Sequence, residues 1–397
     1  MPTRFIFYML LVPITLLVSQ MSFPQHNAQS PIQNIEILPK AQTDPTPTPT
    51  PIPIPGAIGP VDFAENMNPL TGLTVDDPAQ LARLPIVVKI SNAPPLVRPQ
   101  SGIAAADVVF EHYAEGGLTR FSAVFYGNTP TRVGSIRSAR LIDHEITPMM
   151  DGMLVFSGGS IGVETYIYGS DVIDPDFIHA PHRHIPPSEY ADRAYKGVLY
   201  GLPYYWRDET IPVPHNMFAN LETIWQLAAE DGHARRPDLQ GMAFHPEPPA
   251  NAVSPATDID IRYRATRVRW LYDAEHNKYL RFADGEPHFD ASTQAQITAD
   301  NVVIMYSEHV DTEIIESQWQ GNIAWSTQIQ MWDRAPVILL RDGQRYEGYW
   351  IRTVREHLIA LRTADDDILY LKPGNTWFQI VRLPEQQNPD EEWLEIK

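Results

Sequence analysis

Arginine is the residue type in this chain with the clearest chemical potential, because a forked guanidinium grips a phosphate or a carboxylate through two parallel hydrogen bonds. Arg98, Arg120, Arg137 and Arg140 fall close together in the first half of the chain. Arg137 and Arg140 are three apart, so on a helix they share a face. If that helix starts near Ser138, both lie at its positive end, where a cation costs about a few tenths of a kcal/mol. A bound anion would relieve that cost. The competing reading is internal ion pairing with Asp107, Glu111, Glu115 or Asp143. Asp107, Glu111 and Glu115 are also the candidate acids or bases if the site is catalytic.

Gly158-Gly159-Ser160-Ile161-Gly162 follows the apolar run MLVFS and fits the G-x-S-x-G pattern of a nucleophile elbow. Asp174 or Asp176 and then His215 come later in hydrolase order. The plainer reading of Gly158, Gly159 and Ser160 is a tight strand-to-helix turn whose free N–H groups face an anion. His179, His182 and His184, with Asp171, Asp174 and Asp176 upstream, offer metal-type side chains. The prolines among them mark a surface loop, and no metal or cofactor is expected. His215 and Asn216 either cap the following helix or touch a ligand. Trp270, Tyr272, Tyr279, Trp325, Trp332, Tyr349, Trp350 and Trp377 could stack on sugar rings, but a β core explains them better.

These side chains need a scaffold. PIVVKI (85–90) reads as a buried strand, and DVVFEHY with TRFSAVFY reads as a hairpin about Gly116-Gly117. Ala139, Ile142, Ile146 and Met149 fall at helical spacing, MLVFS is a further strand, and a short helix follows the glycine turn. LETIWQLAAEDG (221–232) is an amphipathic helix with Asn220 as N-cap and Gly232 as terminator. Beyond a proline-rich stretch the pattern becomes short strands with polar turns. The expected fold class is a mixed α/β (α+β) domain over 63–240 followed by a mostly-β domain over 255–390.

Among 397 residues there is no cysteine, which removes disulfides, thiolate ligands and a lipidated N-terminal cysteine together. The net charge of −19 repels nucleic acid and anionic membrane surfaces, and no run of Lys or Arg overrides it. Arg4 precedes the apolar run FIFYMLLVPITLLV, which fits a signal peptide or signal anchor over 1–23. Residues 24–62, with TPTPTPIPIP (46–55), read as a disordered proline-rich tether in the polyproline II form. The chain is expected outside the cytoplasm, secreted or held by its N-terminal segment, which is its one contact with the membrane.

The order NPLTGL (68–73), NAPPLVRPQSG (92–102), ADVVFE (106–111), AEGGLTRFSAVF (114–125), GSIRSAR (134–140), SGGS (157–160) and PHN (214–216) resembles the YerB-like family of bacterial lipoproteins. WLYD (270–273), KYLRFADGEPHFD (278–290), NVVI (301–304), YEGYW (346–350) and PGNTWFQI (373–380) extend the resemblance through the second region. It implies an exported domain of unknown biochemical role, here without a cysteine to lipidate. The resulting expectation is an envelope protein that holds an anionic envelope ligand through Arg98, Arg120, Arg137, Arg140, the Gly158–Ser160 turn, His215 and Asn216. The alternatives are an enzyme acting on a wall polymer or a lipid-linked phosphate, and a module that contacts an envelope protein.

Overall fold

The structure, a computed structural model, describes residues 54–168 and 202–397. The N-terminal apolar segment, the tether up to residue 53, and the loop carrying Asp171, Asp174, Asp176, His179, His182 and His184 lie outside the described residues.

The first region supplies β1 (Ile86–Ser91), β2 (Val108–Tyr113), β3 (Thr119–Phe125) and β4 (Met153–Val155). β2 and β3 form the expected hairpin. Its turn needs glycine at Gly117, where φ is +74° and a Cβ would lie 2.5 Å from Arg264 Cβ. Among the described residues the helices of this region are α1 (Asp143–Met149), α2 (Ile161–Tyr168) and α3 (Leu221–Glu230). Asn220 caps α3, its Oδ1 accepting from the N–H groups of Glu222 (3.1 Å) and Thr223 (3.4 Å).

One expected helix starts late. α1 begins at Asp143, so Arg137 and Arg140 are on no helix. The backbone there is already spent on neighbouring chain: Arg137 N–H donates to Lys89 O (2.8 Å) and Ser157 N–H donates to Arg137 O (3.0 Å). Those bonds hold the segment extended between two strand ends.

The second region supplies β5 (Asp258–Tyr263), β6 (Thr266–Asp273), β7 (Lys278–Ala283), β8 (Asn301–Ser307), β9 (His309–Trp319), β10 (Asn322–Ile329), β11 (Asp333–Arg341), β12 (Gln344–Arg352), β13 (Thr376–Arg382) and β14 (Glu392–Ile396). The main sheet has ten strands and draws on both regions. Its order is Ser254–Pro255, β12, β11, β8, β13, β2, β3, β1, β4, with Ala360–Arg362 beside β12. β13 runs parallel to β8 on one side and to β2 on the other. A second, antiparallel sheet has the central order β7, β6, β5, β14. β9 and β10 form a separate hairpin with register shifts about Ile315.

Aromatic residues join the sheets. Trp377 meets Trp270 (centroids 5.3 Å) and Phe121 (5.5 Å) edge-on. Trp270, Tyr279, Trp350 and Trp377 are fully buried, so these four are core. The regions also share a buried ion pair, Arg281 Nη2 donating to Glu111 Oε2 at 2.7 Å. The ordered body starts before residue 63, because Ile58 and Phe244 exchange two backbone hydrogen bonds of 2.8 Å. That pairing withdraws residues 54–62 from the expected disordered tether. The fold is thus mixed in the first region and mostly β in the second.

Candidate functional site

Three of the four singled-out arginines converge. β3 carries Arg120, the extended segment before α1 carries Arg137 and Arg140, and the turn after β4 brings Gly158, Gly159 and Ser160 alongside. With Arg207, Glu115, Glu316 and Pro214 they line a cleft of about 570 Å³.

The floor is an ion-pair network. Arg140 donates from Nε and Nη2 to the Glu115 carboxylate and from Nη1 to Ala139 O (2.6 Å). Arg120 Nη1 donates to Ser138 O (2.8 Å), and its Nη2 lies 3.6 Å from Glu115. Burial opposes ionisation of Glu115, but Arg140 and Arg120 outweigh it and hold the carboxyl down to about 2. Burial and the neighbouring Arg140 bring the Arg120 guanidinium down to about 9, a sign of crowded positive charge. Burial raises the Glu316 carboxyl, against the pull of Arg140.

Beneath the floor lies a second, fully buried group. Asp143 Oδ1 accepts from Lys89 Nζ and Ser122 Oγ, both at 2.9 Å, while Asp143 Oδ2 accepts from the Arg140 backbone N–H at 2.7 Å. Lys89 Nζ also sits 2.6 Å from His112 Nε2. Burial lowers Lys89 to about 8, opposed by Asp143. These residues reach no ligand; they fix the main chain that presents Arg137 and Arg140.

Asn216 is nearly buried and orients Arg207, its Oδ1 accepting from Arg207 Nη1 at 2.7 Å. His215 follows Pro214 and is not itself among the lining residues, and burial with the nearby Arg137 lowers its pKa. Ser160 is 8 % exposed and its Oγ accepts from Val163 N–H (3.4 Å), capping α2. A nucleophile elbow would present that hydroxyl to substrate, so the elbow reading gives way to a helix cap. The N–H of Gly159 faces the Glu164 carboxyl, which burial pushes up to about 8.

Three expected members stand elsewhere. Arg98 pairs with Asp284 at 2.6 Å and lines a different groove with Pro95, Pro99 and Phe289, because its proline-rich loop carries it to the β7 turn. Asp107 is buried and accepts from Asn68 Nδ2 (2.8 Å), Tyr126 N–H (2.6 Å) and Gly127 N–H (3.0 Å). Glu111 is committed to Arg281, Asn92 and Thr119. Of the three candidate acids only Glu115 lies in the cleft, and its arginine clamp makes it a poor base.

Sequence reading missed Arg207 and Glu316. Arg207 is far from the other arginines in sequence, although Asn216, which holds it, lies in a recognised motif. Glu316 is one acid among 49 Asp and Glu residues, with no local spacing to mark it. The shifted pairing of β9 places Ile314 against Gly162 of α2 and Glu316 beside Arg140 (Nε to Oε1, 3.7 Å).

The walls of this cleft come from two spans that comparison with known proteins recognises separately. "Protein of unknown function (DUF3048) N-terminal domain" matches residues 70–234, and its C-terminal counterpart matches residues 259–378. YerB of Bacillus subtilis (strain 168), whose name marks it as a candidate lipoprotein, is 26% identical over 316 residues, spanning 79% of this chain and 85% of YerB. The crystal structure of YerB from Bacillus subtilis superposes with a TM-score of 0.64 at 25% identity, covering 83% of this chain and 99% of that one. With Arg120, Arg137, Arg140 and Arg207 in the first matched span and Glu316 in the second, the cleft is a product of the two-part fold, and the chain belongs to the YerB-like family.

Proposed function

We propose that this protein is an extracytoplasmic binding protein whose cleft captures an anionic component of the cell envelope. One observation carries the reading: in a chain of net charge −19, four arginines and two glutamates line a single cleft among the described residues. Glu115 neutralises part of that charge, and a lining rich in guanidinium groups favours an acceptor-only ligand. The outward location rests on the N-terminal apolar segment and on the name of the Bacillus relative. Among the described residues no helix is long and apolar enough to cross a membrane.

Binding is favoured over catalysis on a wall polymer or lipid-linked phosphate. Among the described lining residues, Ser160 is engaged as a cap and Glu115 is clamped, so neither is a ready nucleophile or base. The test is thermal stability of the full chain with sulfate, pyrophosphate and wall-glycan fragments. A rise in melting temperature with one oxyanion class, lost in Arg137→Ala and Arg207→Ala, is expected. No shift with any of them would remove the anion cleft and favour contact with an envelope protein.

A further inference from the structure

One acid of the cleft has a carboxylate oxygen that the fold leaves without a hydrogen bond. The Glu316 side chain is 2 % exposed, lines the cleft, and its Oε1 has no hydrogen-bond partner. The nearest cation does not supply one: Arg140 Nε lies 3.7 Å away, beyond hydrogen-bond reach, and donates to Glu115 instead. A buried carboxylate left this way carries an uncompensated desolvation cost, whereas a buried neutral carboxyl carries an O–H that needs an acceptor. The groups acting on it are Arg140, Glu115, Arg120 and Ser326, with Arg137 and Arg207 elsewhere on the cleft lining. Its burial and the Glu115 carboxylate favour the protonated form; the two arginines and Ser326 oppose it.

We propose that Glu316 is a specificity residue that enters the complex as a neutral carboxyl and donates its hydrogen bond to the ligand, so that the cleft selects tetrahedral oxyanions and, wherever the free carboxyl is ionised, takes up one proton with each. This deepens the anion-cleft reading and rests on it. With Glu316 protonated, the groups offered to a ligand are donors from several directions, and a phosphate- or sulfate-type group answers them with acceptor oxygens spread tetrahedrally. An ionised Glu316 would repel the same ligand. The proton comes from solvent and returns to it on release, so no covalent step is involved.

The probe is sulfate, which does not titrate between pH 5 and pH 8, bound to the full chain and followed by calorimetry. Repeating the titration in buffers of different ionisation heat counts the protons taken up without any mutation. Uptake approaching one proton per sulfate is expected, with affinity falling up to about tenfold per pH unit above the pKa of the free site. Glu316→Gln, which keeps the shape and a donor, should bind sulfate with a flat pH profile and no uptake from this position. Dimethyl phosphate, a monoanion that also does not titrate there, separates a diester ligand from a dianionic one. Sulfate binding whose strength matches Glu316→Gln at every pH with no proton uptake, or uptake that persists in Glu316→Gln, overturns the role of Glu316 and leaves the anion cleft standing. Absence of binding by either probe overturns both.

Discussion

Arg140 and Glu115 meet side-on across the floor of the cleft, with Nε and Nη2 of the guanidinium donating to the two oxygens of one carboxylate. The pair is mostly buried, at 9 % and 17 % side-chain exposure, and it joins the β2–β3 turn to the segment leading into α1. It is therefore part of the structure rather than the ligand's direct counter-ion.

Removing one partner strands the other. Arg140→Ala or Glu115→Ala should each destabilise the protein by about 3 kcal/mol, and the double variant by clearly less than the sum. Urea unfolding of the two single variants and the double variant checks this; strict additivity would show that the two groups do not interact.

Acid should unfold the protein in two windows. The His309 imidazole is held down to about 3 by burial, helped by Arg382 and opposed by the Ser307 carbonyl. Its folded pKa lies below the unfolded one, so its stabilisation is complete above about pH 6.5 and is lost as pH falls toward 3. Each unit of that fall costs about 1.4 kcal/mol. Glu115, also depressed, loses its contribution later, between about pH 4.5 and 2. Burial holds His112 and His288 down in the same way, so His309→Gln should make the fall between pH 6.5 and 4 shallower without abolishing it in urea titrations, leaving the lower window intact.

Asp143 holds both Lys89 and the Arg140 main chain. Asp143→Asn should cost about 3 kcal/mol by leaving a buried ammonium without its counter-charge. It should also weaken sulfate binding, although Asp143 does not line the cleft. Calorimetry on the folded variant reads the second effect, and unchanged affinity would restrict Asp143 to a stability role.

The two matched spans should not fold apart. β13 lies between β8 and β2, and the Glu111–Arg281 pair is fully buried. A chain ending at residue 250 should show no cooperative unfolding, and the full chain should unfold its two regions in one transition by fluorescence and circular dichroism. A cooperative transition in the truncated chain would contradict this.

Local patterns carried much of this in the sequence. The apolar run of β1, the glycine turn of the β2–β3 hairpin, and the Asn220-capped helix α3 depend on contacts between near neighbours, which spacing displays directly. Arg120, Arg137, Arg140 and the Gly158–Ser160 turn were legible as candidates because arginine and glycine announce what they can do. Their convergence was not legible, nor was the departure of Arg98 to Asp284, because each depends on which distant strand lies alongside.

By itself, then, the sequence determined residue chemistry and local elements: an acidic chain without cysteine, a hydrophobic N-terminal segment, a mixed region followed by a β-rich one. The tertiary structure alone decided that Arg137 stays extended, since its backbone bonds go to Lys89 and Ser157 rather than along a helix. It alone decided that β13 sits between β8 and β2, and that Glu316 faces Arg140. The physical reason is the same in each case: a buried polar group must be paired, and the partner that satisfies it, or fails to, comes from chain tens to hundreds of positions away or from a strand whose register no local pattern shows.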